Sequence, residues 1–314
     1  MEKMKAVICT KYGPPEVLQI KEIVKPFPKA DEILIRIFAT SVTASDCIIR
    51  GFKLPVAMWI PARLALGLTK PKKPVLGLVL SGVVEKTGYK VTQFKRGDKV
   101  FAHTFMRFGT YAEFISIPET SAVTRMPFNS TFEEAAAIPF GGTLALYYLK
   151  KENIRKGHKV LIYGASGAIG TSAIQLAKHF GAEVTGVCGT SNLELVKSLG
   201  ADKVIDYTKE NFTDNGKRYD LIFDAVGRKK SSHLQYKNSL DSNGKFISVD
   251  DEKPGVRAVC KDNLAILKDL AEHGIIKPVI DRIYPLEQIV EAHRYVDMGH
   301  KKGNVIITAN QNNQ

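Results

Sequence analysis

The chain of 314 residues is long enough for two domains, and its 44% hydrophobic and 25% charged residues are ordinary for a folded protein, which excludes general disorder. Its 45 basic and 32 acidic residues give a formal net charge of +13, which suits an anionic partner such as nucleic acid, a membrane surface or a phosphorylated small molecule. The basic residues are scattered without a nucleic-acid-binding module, so nucleic acid is not expected as the main ligand, and no apolar run is long enough to span a membrane.

The N-terminal part of the chain is predicted to be rich in β-structure. Short runs of Val, Ile, Phe and Tyr are separated by turn residues such as Gly13-Pro14-Pro15. No helix of ordinary length is expected before Ser130. The predicted strands are 5–10, 17–23, 32–40, 76–85, 99–102 and 111–117.

From Ser130 onwards the pattern changes to strands alternating with helices. A helix start at Ser130 leads into an Ala-rich stretch and a helical pattern over 143–149. Alternation of this kind predicts a parallel, doubly wound α/β sheet with helices on both faces. The predicted strands are 159–163, 183–187, 203–206, 220–224, 245–249 and 278–281, and the predicted helices are 168–180, 192–199, 231–240 and 261–273. A last helix over 286–298 and a last strand over 304–308 are placed with the N-terminal part, and the tail 310–314 is expected to fray.

Cysteine usage and the N-terminus indicate a reduced, cytoplasmic setting. The four cysteines, Cys9, Cys47, Cys188 and Cys260, lie far apart without a CxxC pair, which argues against a disulfide framework and against a clustered zinc site. The N-terminal residues lack the apolar core of a signal peptide. We therefore expect a cytoplasmic protein with reduced thiols.

The segment VLIYGASGAIGTSAIQ (160–175) places three evenly spaced glycines between a buried-strand run and a helical pattern. This context favours a nucleotide site over a tight turn without a ligand, because backbone N–H groups at a helix N-terminus bind phosphate. Gly164 and Gly167 would bring those groups to a pyrophosphate, and Gly170 would let helix and strand pack closely. The predicted contacts are Gly164, Ala165, Ser166, Gly167, Ala168 and Ile169.

The residues after the second strand of this unit favour NADPH over NADH. An NAD site would place Asp or Glu there to accept from the ribose hydroxyls, but the segment VCGTSN (187–192) has no acid. Its hydroxyl and amide groups would instead donate to a 2′-phosphate, although neither Lys nor Arg lies in this loop. The predicted contacts are Cys188, Thr190, Ser191 and Asn192.

Motifs along nearly the whole chain carry a family resemblance. GLVLSGVVEKTG (77–88), FKRGDKVFA (94–102), YGASGAIGTSAIQLAKHFGAEVTGVC (163–188), SLGADKVIDY (198–207) and GNVIIT (303–308) occur in this order. Together they resemble the medium-chain dehydrogenase/reductase superfamily, and within it the zinc-free quinone oxidoreductase branch. The resemblance implies an α/β protein with a doubly wound Rossmann parallel sheet (123–282) and a β-rich GroES-like barrel domain (1–122 and 283–314).

The ligand positions of the zinc-dependent branch are not filled by metal-binding side chains. The position of its catalytic Cys is Thr43, and its Gly-His-Glu aligns with Gly77-Leu78-Val79. A tetrahedral zinc site needs at least three Cys, His or carboxylate ligands, so no metal site is expected. Isolated histidines such as His103 and His158 are interpreted as surface or locally bonded residues.

The resemblance also implies the reaction and the residues on the nicotinamide side of the cleft. It predicts an NADPH-dependent reductase that transfers hydride to a quinone or an α,β-unsaturated carbonyl, since such acceptors delocalise the negative charge without a metal. The alternatives are an alcohol or aldehyde dehydrogenase and a non-catalytic NADPH-binding protein with a structural or RNA-binding role. Thr43 and Asp46 are candidate catalytic residues, and Thr43 is also a candidate cofactor contact that would donate a hydrogen bond to the carboxamide or the substrate. Arg50 is a candidate substrate contact, with an architectural ion pair as the alternative for Asp46 and Arg50.

Further cofactor contacts follow from the matching motifs. The resemblance assigns Thr143 to the nicotinamide amide, Tyr207 to the adenosine phosphate, Val226 and Gly227 to the ribose edge, and Phe246 and Ser248 to the end of the fifth strand. Tyr207 has a core-packing role as its alternative. Relatives imply a homodimer joined edge to edge through the Rossmann sheets.

The segment between Gly51 and Pro74 combines the single tryptophan, Trp59, with other large apolar residues and a basic end. Three interpretations remain open: a flap that contacts an apolar substrate, a contact with a membrane surface or a second copy, and a loop packed on the core.

Overall fold

The computed structural model describes residues 1–214, 216–227, 236–251 and 255–309. Its strands form a two-stranded, a five-stranded and a seven-stranded sheet. The strands are β1 (Lys3–Cys9), β2 (Leu18–Val24), β3 (Glu32–Val42), β4 (Val79–Thr87), β5 (Lys99–His103), β6 (Phe114–Pro118), β7 (Val123–Arg125), β8 (Lys159–Tyr163), β9 (Glu183–Cys188), β10 (Lys203–Asp206), β11 (Tyr219–Asp224), β12 (Leu240–Ser248), β13 (Ile280–Pro285) and β14 (Asn304–Thr308).

Helices of the described residues cover the five-stranded sheet and flank the seven-stranded one. None of those in the described ranges is long and apolar enough to cross a membrane. The helices are α1 (Ala44–Gly51), α2 (Trp59–Leu66), α3 (Phe132–Ala137), α4 (Pro139–Lys151), α5 (Ala168–His179), α6 (Leu193–Ser198), α7 (Gly255–Ala258), α8 (Lys261–Glu272) and α9 (Ile289–Asp297).

The N-terminal strands form an antiparallel assembly around the long strand β3. β3 pairs with β4, β6 and β14, and the sheet runs in the order β13-β14-β3-β4-β5-β7. Ile33, Ile35 and Ile37 of β3 are fully buried in one hydrophobic cluster, because alternate residues of a strand point to the same face. The hairpin of β1 and β2 forms its own two-stranded sheet.

The central α/β part confirms the predicted doubly wound sheet. Its strands are all parallel and lie in the order β10-β9-β8-β11-β12, so the winding direction reverses between β8 and β11. The core on one face contains residues of α4, α5 and α8, including Leu146, Ile174 and Leu267. A ligand is expected at the carboxyl ends of the strands beside this reversal.

Two predicted elements of this sheet differ in the structure. The strand expected at 278–281 is β13, which pairs in parallel with β14 and therefore belongs to the seven-stranded sheet. β14 already pairs with β3 on one side, so its other edge is open to β13. The helix expected over 231–240 falls partly outside the described residues, and Tyr236–Ser239 is a short 3₁₀ turn followed by β12. The tail 310–314 also lies outside them.

Two helices interrupt the N-terminal strands where none was predicted. α1 and α2 have eight residues each, too short for a clear helical period in the sequence. A usable signal exists for α1, because Thr43 and Asp46 form a capping box at its N-terminus.

The last helix and strand lie against the N-terminal part. α9 shares a hydrophobic cluster with β1 and β3, and β14 pairs with β3. The boundaries proposed for the two domains, 1–122 with 283–314 and 123–282, stay a prediction.

Candidate functional site

A cavity lies at the carboxyl ends of β8, β9 and β11, where the winding of the parallel sheet reverses. Its volume is about 460 Å³. Loops after these strands supply most of its wall, as expected for a ligand site in a doubly wound sheet. It is lined by Tyr163, Gly164, Ser166, Gly167, Cys188, Gly189, Ser191, Asn192, Tyr207, Ala225, Val226, Gly299, His300 and Lys301.

The glycine loop joins β8 to α5 through a tight turn. Gly164 has a φ of +80°, a left-handed conformation that favours glycine. The N–H groups of Gly164 and Ala165 both donate to the Val187 carbonyl of β9, at 3.1 and 3.0 Å. Gly167 is the N-cap of α5 and provides no side-chain cap. N–H groups of the first turn of α5 are therefore left for a ligand.

The second and third glycines of the loop serve different purposes. A Cβ on Gly170 would lie 2.2 Å from the Gly164 carbonyl oxygen, so only glycine allows helix and loop to pack this closely. A Cβ on Gly167 would meet only that same oxygen, at 3.5 Å, which is ordinary van der Waals contact. Gly167 thus keeps space open in front of the helix N-terminus. The residues present fit a pyrophosphate group.

Four of the predicted cofactor contacts line the side of the cavity formed by β9 and β10, namely Cys188, Ser191, Asn192 and Tyr207. Asn192 donates to the Ser166 hydroxyl at 3.2 Å, which connects this side to the glycine loop. Nucleotide binding by these four residues stays a prediction.

Thr190 was predicted to donate to a 2′-phosphate, but its hydroxyl has a different partner in the structure. Its hydroxyl donates to Asp206 at 2.6 Å, and this hydrogen bond lowers the pKa of the Asp206 carboxyl. With its proton directed to Asp206, the hydroxyl is not positioned to donate to a 2′-phosphate. Asp206 ends β10, and the partnership was not visible in the sequence because it depends on the pairing of β10 with β9.

Gly299, His300 and Lys301 were not predicted and add basic groups to the cavity. The Gly303 N–H donates to the Ser166 carbonyl at 2.8 Å, so the segment 299–303 is held against the glycine loop. The sequence signal was present in GHKKG (299–303), but its approach depends on the position of β14. Lys301 supplies a positive charge, which the 187–192 loop lacks.

Several predicted contacts are not among the cavity-lining residues, and their roles stay predictions. Ala165 and Ala168 are buried behind the loop, and Ile169 packs beside Ala168. Thr143 is fully buried and its hydroxyl donates to the Pro139 carbonyl at 2.7 Å.

The predicted contacts beyond β11 are also held by neighbouring protein groups. Ser248 donates to Asp224 at 2.8 Å, and the same carboxylate accepts from the N–H groups of Val226 and Gly227. The Phe246 ring stacks on Tyr236 at 3.8 Å between centroids. Of these residues, Val226 lines the cavity.

Thr43 and Asp46 form a closed hydrogen-bonded unit at the start of α1. The Thr43 hydroxyl donates to Asp46 at 2.6 Å, so it is not free to donate to a carboxamide as the sequence suggested. Asp46 is fully buried and also accepts from the N–H groups of Thr43 and Gly77. Burial raises the pKa of the Asp46 carboxyl to about 6. This arrangement stabilises the N-terminus of α1.

Arg50 forms an ion pair, but with Asp297 rather than with Asp46. Its side chain is fully buried and donates to Asp297 at 2.5 Å and to the Gly13 carbonyl at 3.2 Å. The guanidinium also lies 3.0 Å from His293 Nδ1. The structure therefore places Arg50 between α1 and α9 and not at the cavity.

A hydrophobic cluster joins the barrel strands to the α/β part beside the glycine loop. Leu78 and Phe108 contribute from the barrel side, and Phe140 and Ala168 from the other. His103 stacks on Phe140 with 6.2 Å between ring centroids, and burial lowers its pKa to about 3, so it is neutral at physiological pH. Ile49, Leu66, Leu144 and Ile169 are partly buried around this cluster.

The donor set does not fit a zinc ion. Leu78 packs in the cluster just described, and Thr43 is hydrogen-bonded to Asp46. In the described part of the chain, no three His, Cys, Asp or Glu side chains lie together in a way that could hold a metal ion.

Trp59 starts α2 at the protein surface. Its side chain is about half exposed, and its indole N–H donates to the Leu54 carbonyl at 2.9 Å. It is not among the residues that line the cavity.

Comparison with family models gives matches in both parts of the chain. The alcohol dehydrogenase GroES-like domain matches residues 29–128, and two zinc-binding dehydrogenase models match residues 168–274 and 253–307. The match to the GroES-like domain model supports the predicted GroES-like barrel.

Similar proteins cover nearly the whole chain. The 2-methylene-furan-3-one reductase of Solanum lycopersicum is 34% identical over 97% of this chain and 79% of its own. The chloroplastic NADPH-dependent alkenal/one oxidoreductase of Arabidopsis thaliana is 32% identical over 98% of this chain and 80% of its own. The structure of the quinone oxidoreductase from Coxiella burnetii superposes with a TM-score of 0.87 at 27% identity, covering 98% of this chain and 100% of that one. The fold, the glycine-loop cavity and these matches confirm the resemblance, and the chain belongs to the medium-chain dehydrogenase/reductase superfamily, in its quinone oxidoreductase branch.

Proposed function

We propose that the protein is an NADPH-dependent reductase that transfers hydride to a quinone or an α,β-unsaturated carbonyl without a metal ion. The observation that carries the proposal is the position of the glycine-loop cavity directly beside an apolar cluster shared by the two parts of the chain. Similar proteins named as quinone oxidoreductase and as NADPH-dependent alkenal/one oxidoreductase support this reaction class and this cofactor.

The dinucleotide would be held along the carboxyl ends of β8, β9 and β11. Backbone N–H groups at the start of α5 would bind the pyrophosphate, and Lys301 would add positive charge beside it. Ser191 and Tyr207 line the adenosine side. When bound, NADPH supplies the hydride.

The residues beside the glycine loop suit an acceptor that needs little chemical assistance. Phe108, Phe140 and Leu144 exclude water and offer contact to a flat apolar molecule. His103 remains neutral, and Asp46 is enclosed by its own hydrogen bonds. Since neither His103 nor Asp46 offers a charge to the acceptor, negative charge would be delocalised within the acceptor itself, and solvent can provide the proton. Quinones and enones meet this requirement.

A panel of substrates tests the proposal. Consumption of NADPH is followed by its absorbance with a small quinone and with an enal, and reduction of NADP⁺ is followed with a simple alcohol, each with and without a chelator. We expect quinone or enal turnover that a chelator leaves unchanged. Alcohol oxidation that stops on chelation would instead indicate a metal-dependent dehydrogenase, and NADPH binding without turnover of any substrate would indicate a non-catalytic binding protein.

The compartment and the oligomeric state are part of the proposal. All four cysteines are free, which supports a reducing, cytoplasmic setting. The strand β12 forms one edge of the five-stranded sheet, and an open edge suits edge-to-edge pairing with the same strand of a second copy. We therefore propose a cytoplasmic homodimer.

A further inference from the structure

The surface around α2 exposes an unusual concentration of large apolar side chains. We call residues 53–73 the α2 surface segment. The exposed fractions are 75% for Val56, 49% for Trp59, 76% for Ile60, 64% for Leu64 and 67% for Leu68. Single exposed apolar residues are normal, but a group of this kind marks a binding surface.

The sequence of α2 is apolar around most of the helix, as in helices that are buried on all sides. WIPARLAL (59–66) has one charged residue, Arg63, whose guanidinium lies 4.0 Å from the centre of the Phe52 ring. Ala62 is buried and Leu66 packs on the cluster of Leu78 and Phe108. A helix that is apolar on all sides is normally buried, but the outer side of α2 is exposed and is not covered by any of the described residues.

Basic residues without acidic neighbours border this apolar surface. The sequence contains no Asp or Glu between Cys47 and Val84. Lys70, Lys72 and Lys73 are exposed, and the Nζ atoms of Lys72 and Lys73 donate to the backbone carbonyls of Leu64 and Met106. No ion pair to a carboxylate involves these three lysines within the described residues.

The lysines lie close to the apolar side chains because the chain turns back at the end of α2. The Lys72 N–H donates to the Leu66 carbonyl at 2.7 Å, and the Gly67 N–H donates to the Arg63 carbonyl at 2.9 Å. Ile60 and Leu64 are four residues apart and therefore share one side of the helix. The surface thus combines apolar side chains, a half-exposed indole and a cationic border.

We propose that the α2 surface segment docks on the headgroups of an anionic lipid bilayer. Apolar side chains would enter the boundary between headgroups and acyl chains, and the three lysines would lie against the anionic headgroups. Tryptophan is favoured at that depth because its ring is apolar and its N–H is polar. The charge complementarity selects an anionic membrane surface over an apolar protein groove.

Flotation with vesicles tests this docking on the full-length protein. We expect it to float with vesicles of phosphatidylcholine containing phosphatidylglycerol and not with pure phosphatidylcholine, and to be released by high salt, since surface charge attraction is screened. Ile60→Ser with Leu64→Ser should lower vesicle binding at least tenfold. The triple variant Lys70→Gln, Lys72→Gln and Lys73→Gln should lower it by about a hundredfold, since each lysine contributes roughly 1 kcal/mol.

Matched controls separate docking from misfolding and from other partners. Phe128→Ser and Ile283→Ser remove exposed apolar residues elsewhere and should leave flotation unchanged, and every variant must keep the NADPH affinity of the unmodified protein. Absence of flotation with anionic vesicles would overturn the proposal. So would unchanged flotation of the Ile60 and Leu64 double variant. If that variant instead changed the oligomeric mass, or raised KM for a soluble quinone without affecting flotation, the surface would be a self-interface or a substrate flap.

Discussion

At the scale of single residues, the glycine loop shows how one atom decides between packing and binding. The Gly164 carbonyl leaves no room for a side chain at Gly170, whereas a Cβ at Gly167 would make only an ordinary contact with that carbonyl. The sequence spacing predicted the close packing at Gly170, because the fingerprint is tied to the strand, turn and helix around it. The phosphate-binding role of Gly167 stays a prediction. The space available around each of the two glycines could be determined only from the structure.

Gly167→Asp should separate stability from cofactor binding. Aspartate is a favoured N-cap and complements the positive end of α5, so the free energy of unfolding should stay within about 1 kcal/mol of the unmodified protein. NADPH affinity should fall at least a hundredfold, because the carboxylate would occupy the N–H groups and repel the phosphates. Fluorescence titration and urea unfolding measure the two quantities.

Two comparison variants make this prediction specific. Gly167→Asn caps the helix equally well without a charge and should lose less affinity. Gly170→Ala should destabilise the fold by about 2–3 kcal/mol, since its Cβ meets backbone atoms that cannot move freely. Unchanged NADPH affinity in Gly167→Asp would contradict the phosphate-binding assignment.

At the scale of elements, helices α1 and α9 are joined by buried polar groups that the sequence did not pair. Arg50, His293 and Asp297 meet because α9 returns to the N-terminal sheet with β14. The family motif showed Arg50 and Asp46 near each other in sequence, but the partner of Arg50 lies 247 residues away. Pairings over such distances are set by topology and cannot be read from local spacing.

This contact predicts a pH dependence of stability. The Arg50 guanidinium donates to His293 Nδ1, and burial together with this charge lowers the pKa of His293 to about 3. The unfolded chain takes up a proton below the ordinary value of 6.5 while the folded chain does not, so stability falls as the pH drops below that value. Between about pH 7.5 and pH 5.5 the loss from His293 should be about 1.4 kcal/mol.

Urea unfolding at the two pH values checks this expectation with His293→Gln. The variant should be less stable than the unmodified protein at both pH values. Its free energy of unfolding should fall by about 1.4 kcal/mol less between the two pH values than that of the unmodified protein does. Two other buried groups also change stability over this pH range. The low pKa of His103 lowers stability on acidification, and the raised pKa of Asp46 increases it. Both contributions are the same in the variant and in the unmodified protein, so they cancel in the comparison. An equal pH difference in both proteins would show that His293 is not the responsible group.

At the scale of the whole molecule, the two parts of the chain were predicted from a change of period in the sequence. Alternating strands and helices were recognised because parallel sheets have a distinct pattern, whereas β13 was assigned to the wrong sheet. A short apolar run predicts a strand, but it does not indicate which sheet that strand will pair with. The same limit explains why Lys301 was missed at the cavity.

The dimer proposal leads to a prediction for the whole chain. Light scattering over a range of protein concentrations should give twice the chain mass of 34.7 kDa. Amide hydrogen exchange of β12 should be slow in the dimer, because its open edge would be paired. A constant monomeric mass at all concentrations, with fast exchange of β12, would contradict edge-to-edge pairing.

The short stretch from Gly299 to Thr308 serves both parts of the chain at once. Its strand completes the larger sheet by pairing with β3, its Gly303 holds the Ser166 carbonyl, and its basic residues face the cavity. A protease cut just before it would remove one strand of the larger sheet, the hydrogen bond to the glycine loop and the lysine beside the cavity in a single event. Loss of this stretch would therefore disturb the larger sheet and the cavity together.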